Sequence, residues 1–199
     1  MCIFGCCVPF FNKGQLTFQQ HIANFVTGNL TTLQLPQIGL AGLEQGLESE
    51  SLTILAGMSD NDNPFELEDY FNKALTELGI KLPEKRQAAI ELALYYADQI
   101  IDSKVDPVDG VNKIIRKALD SHDFFHESKE FAMDSIGFAK IYGLYWTFDD
   151  LRNADKPWSD EKTNEELMED VKKEIIDEIK LWRQKTAHNT RFGQWRGDE

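Results

Sequence analysis

Ser121-His-Asp-Phe-Phe-His-Glu-Ser128 sets His122 and His126 four residues apart, each followed by an acid. On a helix, residues at that spacing share a face, so both imidazoles would reach one metal ion. Asp123 and Glu127 repeat the spacing, turned about 100° from the histidines. Further ligands would come from distant Asp or Glu, and the chemistry would be metal-assisted. Two features weigh against this reading. The order is not His-Glu-x-x-His, in which the Glu activates a water. The stretch also falls where one helix is expected to end and the next to begin, and in a loop four-residue spacing loses its meaning. The structural alternative has His122 capping a helix C-terminus and His126 facing water.

Other chemistry has less to stand on. No Glu-x-x-His occurs, which argues against a carboxylate-bridged di-iron bundle. No GxSxG elbow, GxxxxGK[ST] loop or GxGxxG turn is present. Acid pairs such as Asp149-Asp150 and Glu165-Glu166 arise by chance in a chain with 34 acids. No catalytic residue is assigned and no cofactor is expected. Cys2, Cys6 and Cys7 all precede residue 8. An odd count without downstream partners is not a disulfide framework, and adjacent cysteines suit a tetrahedral site poorly. A reduced chain in the cytoplasm is expected.

Aromatic residues are dense from Phe124 to Trp158. Tyr142, Tyr145, Trp146 and Trp158 are candidate interaction residues, because such rings join apolar area to a polar tip. Core packing is the competing use. A third use is a small-molecule pocket lined by the Phe124–Phe148 aromatics.

The elements that must position these residues read as successive helices. Thr17 and Gln20 have capping-box spacing, and Gly28 offers a stop. Pro36 opens a second apolar segment. Ser49 and Gly57 bracket a third helix. Asn63-Pro64-Phe65-Glu66 and Asp106-Pro107 carry an N-cap followed by proline at the first helical position. Ala88–Ala97 is apolar on nearly every side and should be central. The segment from Val111 to Ala118 continues as helix to the histidine stretch. From about Ser128 to Leu151 one helix is expected, with Phe131, Ser135, Phe138, Tyr142 and Tyr145 on one face. Thr163 and Glu166 offer a second capping box, one turn inside a helix begun at Ser159. Leu167, Val171, Ile175, Ile179 and Trp182 then form a narrow stripe. No alternating strand pattern of useful length occurs.

The expected fold is therefore all-α, a compact multi-helix bundle or stacked helix pairs of about seven to eight helices with an acidic last helix. Residues 1–151 form the expected core. Residues 152–187 hold a C-terminal helix packed on that core or extending from it, and 188–199 a flexible tail. At 199 residues and 42% hydrophobic content, a core needs neither metal nor disulfide.

A net charge of −13 leaves too little Lys and Arg to neutralise nucleic-acid phosphates. The apolar start, CIFGCCVPFF, is ten residues long, whereas a membrane span needs about 20. It lacks a basic region before it and a clear cleavage site after it, as a signal peptide would have. No membrane span is expected. The acidic surface serves solubility, or would steer a basic protein partner. Between Asp160 and Lys180 stand nine acids and four lysines, a solvated face or a docking face. Self-association through this last helix is a further expectation.

Leu43-Glu-Gln-Gly-Leu-Glu-Ser-Glu-Ser-Leu-Thr-Ile-Leu-Ala-Gly57 resembles a motif of small uncharacterised bacterial all-helical proteins. Tyr70-Phe-Asn-Lys-Ala-Leu-Thr-Glu-Leu-Gly-Ile-Lys-Leu-Pro83 and Val105-Asp-Pro-Val-Asp-Gly110 follow in the same order. The resemblance covers roughly residues 33–120 and implies membership, not activity. By analogy with helical toxin-immunity proteins it implies partner binding. The leading expectation is thus a non-catalytic protein-binding or inhibitory module. The alternatives are a metal-dependent enzyme using His122 and His126, and a small-molecule binder.

Overall fold

At Thr17, Ser49, Asn63, Asp106 and Thr163 a side chain takes up free backbone N–H groups at a helix start, whereas the helix opened by Pro36 has no side-chain cap. The computed structural model describes residues 16–189. The CIFGCC segment and the tail beyond Asn189 lie outside these residues. Nine α-helices occur among the described residues, and no strand: α1 (Phe18–Val26), α2 (Leu35–Glu44), α3 (Glu50–Gly57), α4 (Pro64–Glu77), α5 (Lys85–Ile101), α6 (Pro107–Lys113), α7 (Phe124–Glu127), α8 (Ala139–Arg152) and α9 (Asn164–Asn189). Thr17 and Gln20 form the reciprocal box that starts α1. Ser49 Oγ accepts from the Leu52 N–H, and Asp106 from the N–H groups of Val108 and Asp109. Thr163 and Glu166 form their box at the very start of α9, so that helix begins at Asn164 and not at Ser159.

The helices bury two apolar clusters. One gathers α1 to α4 around Phe18, Ile22, Leu52, Leu55 and Phe71. The other gathers α5 to α9 around Leu92, Ile114, Phe124, Phe138 and Trp182. α1 belongs to both, since Ala23 joins the second cluster and the helix packs on both α2 and α5. α5 is central to the second, with Ala88, Ala89, Ala93 and Ala97 all fully buried. Their small side chains let α1 and α9 approach closely. α9 lies on α8 and α5, and its Ile175, Ile179 and Trp182 are core residues.

The helix expected from Ser128 to Leu151 is broken. Asp134 turns its carboxylate onto the N–H groups of Lys129, Glu130 and Phe131 at 2.9–3.3 Å. Glu130's N–H leads in holding this carboxyl below its ordinary range, against a smaller upward push from burial. Met133 and Gly137 both adopt left-handed backbone, with φ of 65° and 69°, and bracket a 3-10 turn at Asp134–Ile136. α8 therefore starts only at Ala139. Phe131 and Phe138 do not share a face: Phe131 is exposed, while Phe138 is buried edge-on against Trp182 at 5.2 Å. A side chain that caps its own upstream backbone competes with the helix, and here it wins.

Candidate functional site

The histidine stretch is a junction. α6 runs into a π-helical turn at Ile114–Ala118 and a 3-10 turn at Leu119–Ser121, which leaves His122 extended (φ −134°, ψ 146°). The Lys117 carbonyl in this turn accepts from Asn29 Nδ2, just beyond the end of α1. Asp123 then caps α7, accepting from the His126 N–H at 3.0 Å. His122 precedes this helix and His126 lies within it, so the pair does not share a helix face.

His122 instead meets Glu127. Its Nε2 lies 2.6 Å from Glu127 Oε1, and the ring packs edge-on against Phe124. Arg86 of α5 donates through Nε to both carboxylate oxygens of Glu127 at 3.1 Å. Burial pushes the Glu127 carboxyl up. The hydrogen bonds from His122 and Arg86, with the Arg86 charge, outweigh it and hold the group below the usual carboxylate range. His126 is exposed. Among the described residues, no group of three or more His, Cys, Asp or Glu is arranged to hold a metal ion. Glu127 engages His122 Nε2 and Arg86 Nε together, as a carboxylate bridging two nitrogen groups.

The neighbouring phenylalanines face opposite ways. Phe124 is fully buried, with the Arg86 guanidinium over its ring at 5.7 Å. Phe125 is 51% exposed and starts a chain of edge-to-face rings: Phe125 to Tyr142 at 5.9 Å, Tyr142 to Trp146 at 6.1 Å, and Trp146 to Tyr145 at 5.3 Å. Tyr145 is held by its hydroxyl, which accepts from Asn112 Nδ2 of α6 at 2.6 Å. Trp146 remains 41% exposed. Three of the four candidate interaction residues are thus brought together, and Phe125 joins them. Trp158 stands apart on the α8–α9 loop, more than half exposed, its backbone N–H bonded to Asn164 Oδ1. It makes no ring contact among the described residues. Phe125 was legible only as one of an adjacent pair. Consecutive helical residues point about 100° apart, and here Phe124 takes the core side while Phe125 faces out.

Two of the quoted segments, Leu43–Gly57 and Tyr70–Pro83, meet in the N-terminal cluster, whereas Val105 and Val108 pack against the other one. Glu77, at the end of α4, accepts from the hydroxyls of Ser49 and Ser51 at 2.5 Å each and from the Ser51 N–H at 3.1 Å. Ser49 first, then Ser51, hold its carboxyl below its ordinary range. The carboxylate sits at the N-terminus of α3, where the helix dipole favours an anion. Ser49, Ser51 and Glu77 thus tie the start of α3 to the end of α4, a structural role.

Compared with protein-family models, curated proteins and solved structures, the chain finds no match. No helix among the described residues is long and apolar enough to cross a membrane.

Proposed function

We propose that this chain works by binding another protein, through the aromatic face that runs from Phe125 along α8. The observation that carries this reading is the run of four touching rings with both Phe125 and Trp146 open to solvent. Aromatic side chains in a rigid array supply much contact area at little entropic cost, and such residues dominate binding energy at interfaces. The partner in this reading is a basic protein. Asp149 and Asp150 follow the rings by one turn, α9 carries many acids, and the chain's charge is −13. Such a field steers a cationic surface towards the rings. A cytoplasmic inhibitor that occludes a basic partner, as immunity proteins do, is one form of this activity. A second copy of the chain is less suited to the role, because Ile175, Ile179 and Trp182 of α9 are already buried in the core.

The test is affinity capture from the source organism with the wild-type chain and the Phe125→Ala/Trp146→Ala variant, at low and high salt. A basic protein retained by wild type, released by salt and lost in the folded double variant is the expected outcome. Equal capture by both chains, or no basic protein on either, would sink the proposal.

A further inference from the structure

Arg86, held by Glu127, also lines a cleft of about 390 Å3 together with Ser135 and Lys185, with Ile90, Ile136 and Trp182 as its apolar floor. α5, the Asp134–Ile136 turn and the end of α9 supply these walls. The volume falls within the range of small-molecule sites.

Three features make the cleft a built site for an anion. Of its two cations, one is held in place. Glu127 holds Arg86 through Nε, and the guanidinium lies over the Phe124 ring. Lys185 has no ion-pair partner among the described residues. Glu127 balances one positive charge and is itself shared with His122, so Lys185 is left as excess positive charge in a strongly acidic protein. The cleft wall is also pinned at two points. Met133, a buried non-glycine residue in left-handed backbone, and Gly137 fix the turn that presents Ser135. Ser128 Oγ accepts from the Met133 N–H at 3.0 Å, and Trp182 Nε1 donates to the Ile136 carbonyl at 2.8 Å. Backbone held in a sparsely populated region by such pins is a recurrent mark of ligand sites. Finally, the floor is apolar, which calls for more than an inorganic ion.

We infer that this cleft binds a small organic anion, a carboxylate carried on a flat apolar body, with Lys185 and Arg86 taking the carboxylate, Ser135 beside them, and Ile90, Ile136 and Trp182 beneath the body. The inference does not depend on the partner-binding reading. Residues of the Ser121–Ser128 stretch would then orient the site through Arg86 and Met133 without touching the ligand.

The experiment is a ¹H–¹⁵N titration of the full chain with three probes: 1-naphthoate, its neutral amide 1-naphthamide, and inorganic phosphate. Naphthoate should give saturable shifts at the Trp182 indole N–H and the backbone N–H groups of Ser135 to Gly137. Affinity should fall about tenfold in Lys185→Gln, the scale of one lost charge contact, and recover in Lys185→Arg. Lys185 lies on the surface, so these variants keep the fold. Naphthamide and phosphate should bind at least about tenfold more weakly than naphthoate. The inference is overturned if naphthoate gives no saturable shift at these positions, if naphthamide or phosphate matches it, or if Lys185→Gln leaves its affinity unchanged.

Discussion

Phe124 and Phe125 share a side chain and a helix turn, and they do opposite things. Phe124 is sealed in the core, whereas Phe125 is half open and carries the ring ladder. Phe124→Ala should cost about 3–5 kcal/mol, and Phe125→Ala should stay within about 1 kcal/mol. Urea denaturation of the two variants checks this, and similar losses would contradict the placement. Two residues on, Glu127 links His122 to Arg86, and its pKa is lower folded than unfolded. Its contribution to stability is therefore present above the unfolded carboxyl range, near about pH 4.3, and is lost as pH falls through the folded value. Wild type should be more stable than Glu127→Gln at pH 6, with the gap narrowing as pH falls below the unfolded carboxyl range. A gap that widened on acidification would reverse the sign of this account. Sequence spacing marked His122 and His126 as chemically notable. It did not show that Glu127 joins His122 to Arg86, because Arg86 lies 41 residues from Glu127 in the chain.

Helix starts were legible almost residue by residue, because capping is local chemistry. Thr17, Ser49, Asn63, Asp106 and Thr163 each bond to backbone within three residues. The break before α8 was not legible, although it too is made locally. Asp134 sits in a stretch whose apolar spacing suits a helix, and the choice between helix and turn depends on Met133 being buried in left-handed backbone. Glycines in helices divide the same way. Gly39 of α2 looks like a weak helix residue, yet a Cβ there would stand 2.9 Å from the Ala56 backbone nitrogen of α3. Gly143 of α8 has open space around it. Gly39→Ala should destabilise by about 1–3 kcal/mol through forced separation of α2 and α3. Gly143→Ala should stabilise by about 0.5–1 kcal/mol by removing backbone freedom from the unfolded chain. Thermal melts of the two variants moving in the same direction would contradict this.

At the scale of the molecule, two apolar clusters share α1. Opening one cluster should leave the other closed if the bridge is the only strong link. Leu55→Ala, at a fully buried position in the N-terminal cluster, should cost about 2–5 kcal/mol. Hydrogen exchange should then quicken across α2 to α4 while α8 and α9 keep their protection. Equal acceleration in both halves would make the chain a single cooperative unit. The division was hidden in the sequence, since nothing along α1 shows that Ile22 and Ala23 face different clusters. What the sequence by itself determined was the all-helical class, the helix starts, the central place of α5 and the acidity of the surface. These follow from local hydrogen bonding, apolar period and charge count, which neighbours in the chain settle among themselves. What only the tertiary structure decided was which rings stay outside, that Arg86 and Lys185 line one cleft, and what His122 touches. Those outcomes depend on residues far apart in the chain arriving at one place, and packing alone sets that encounter.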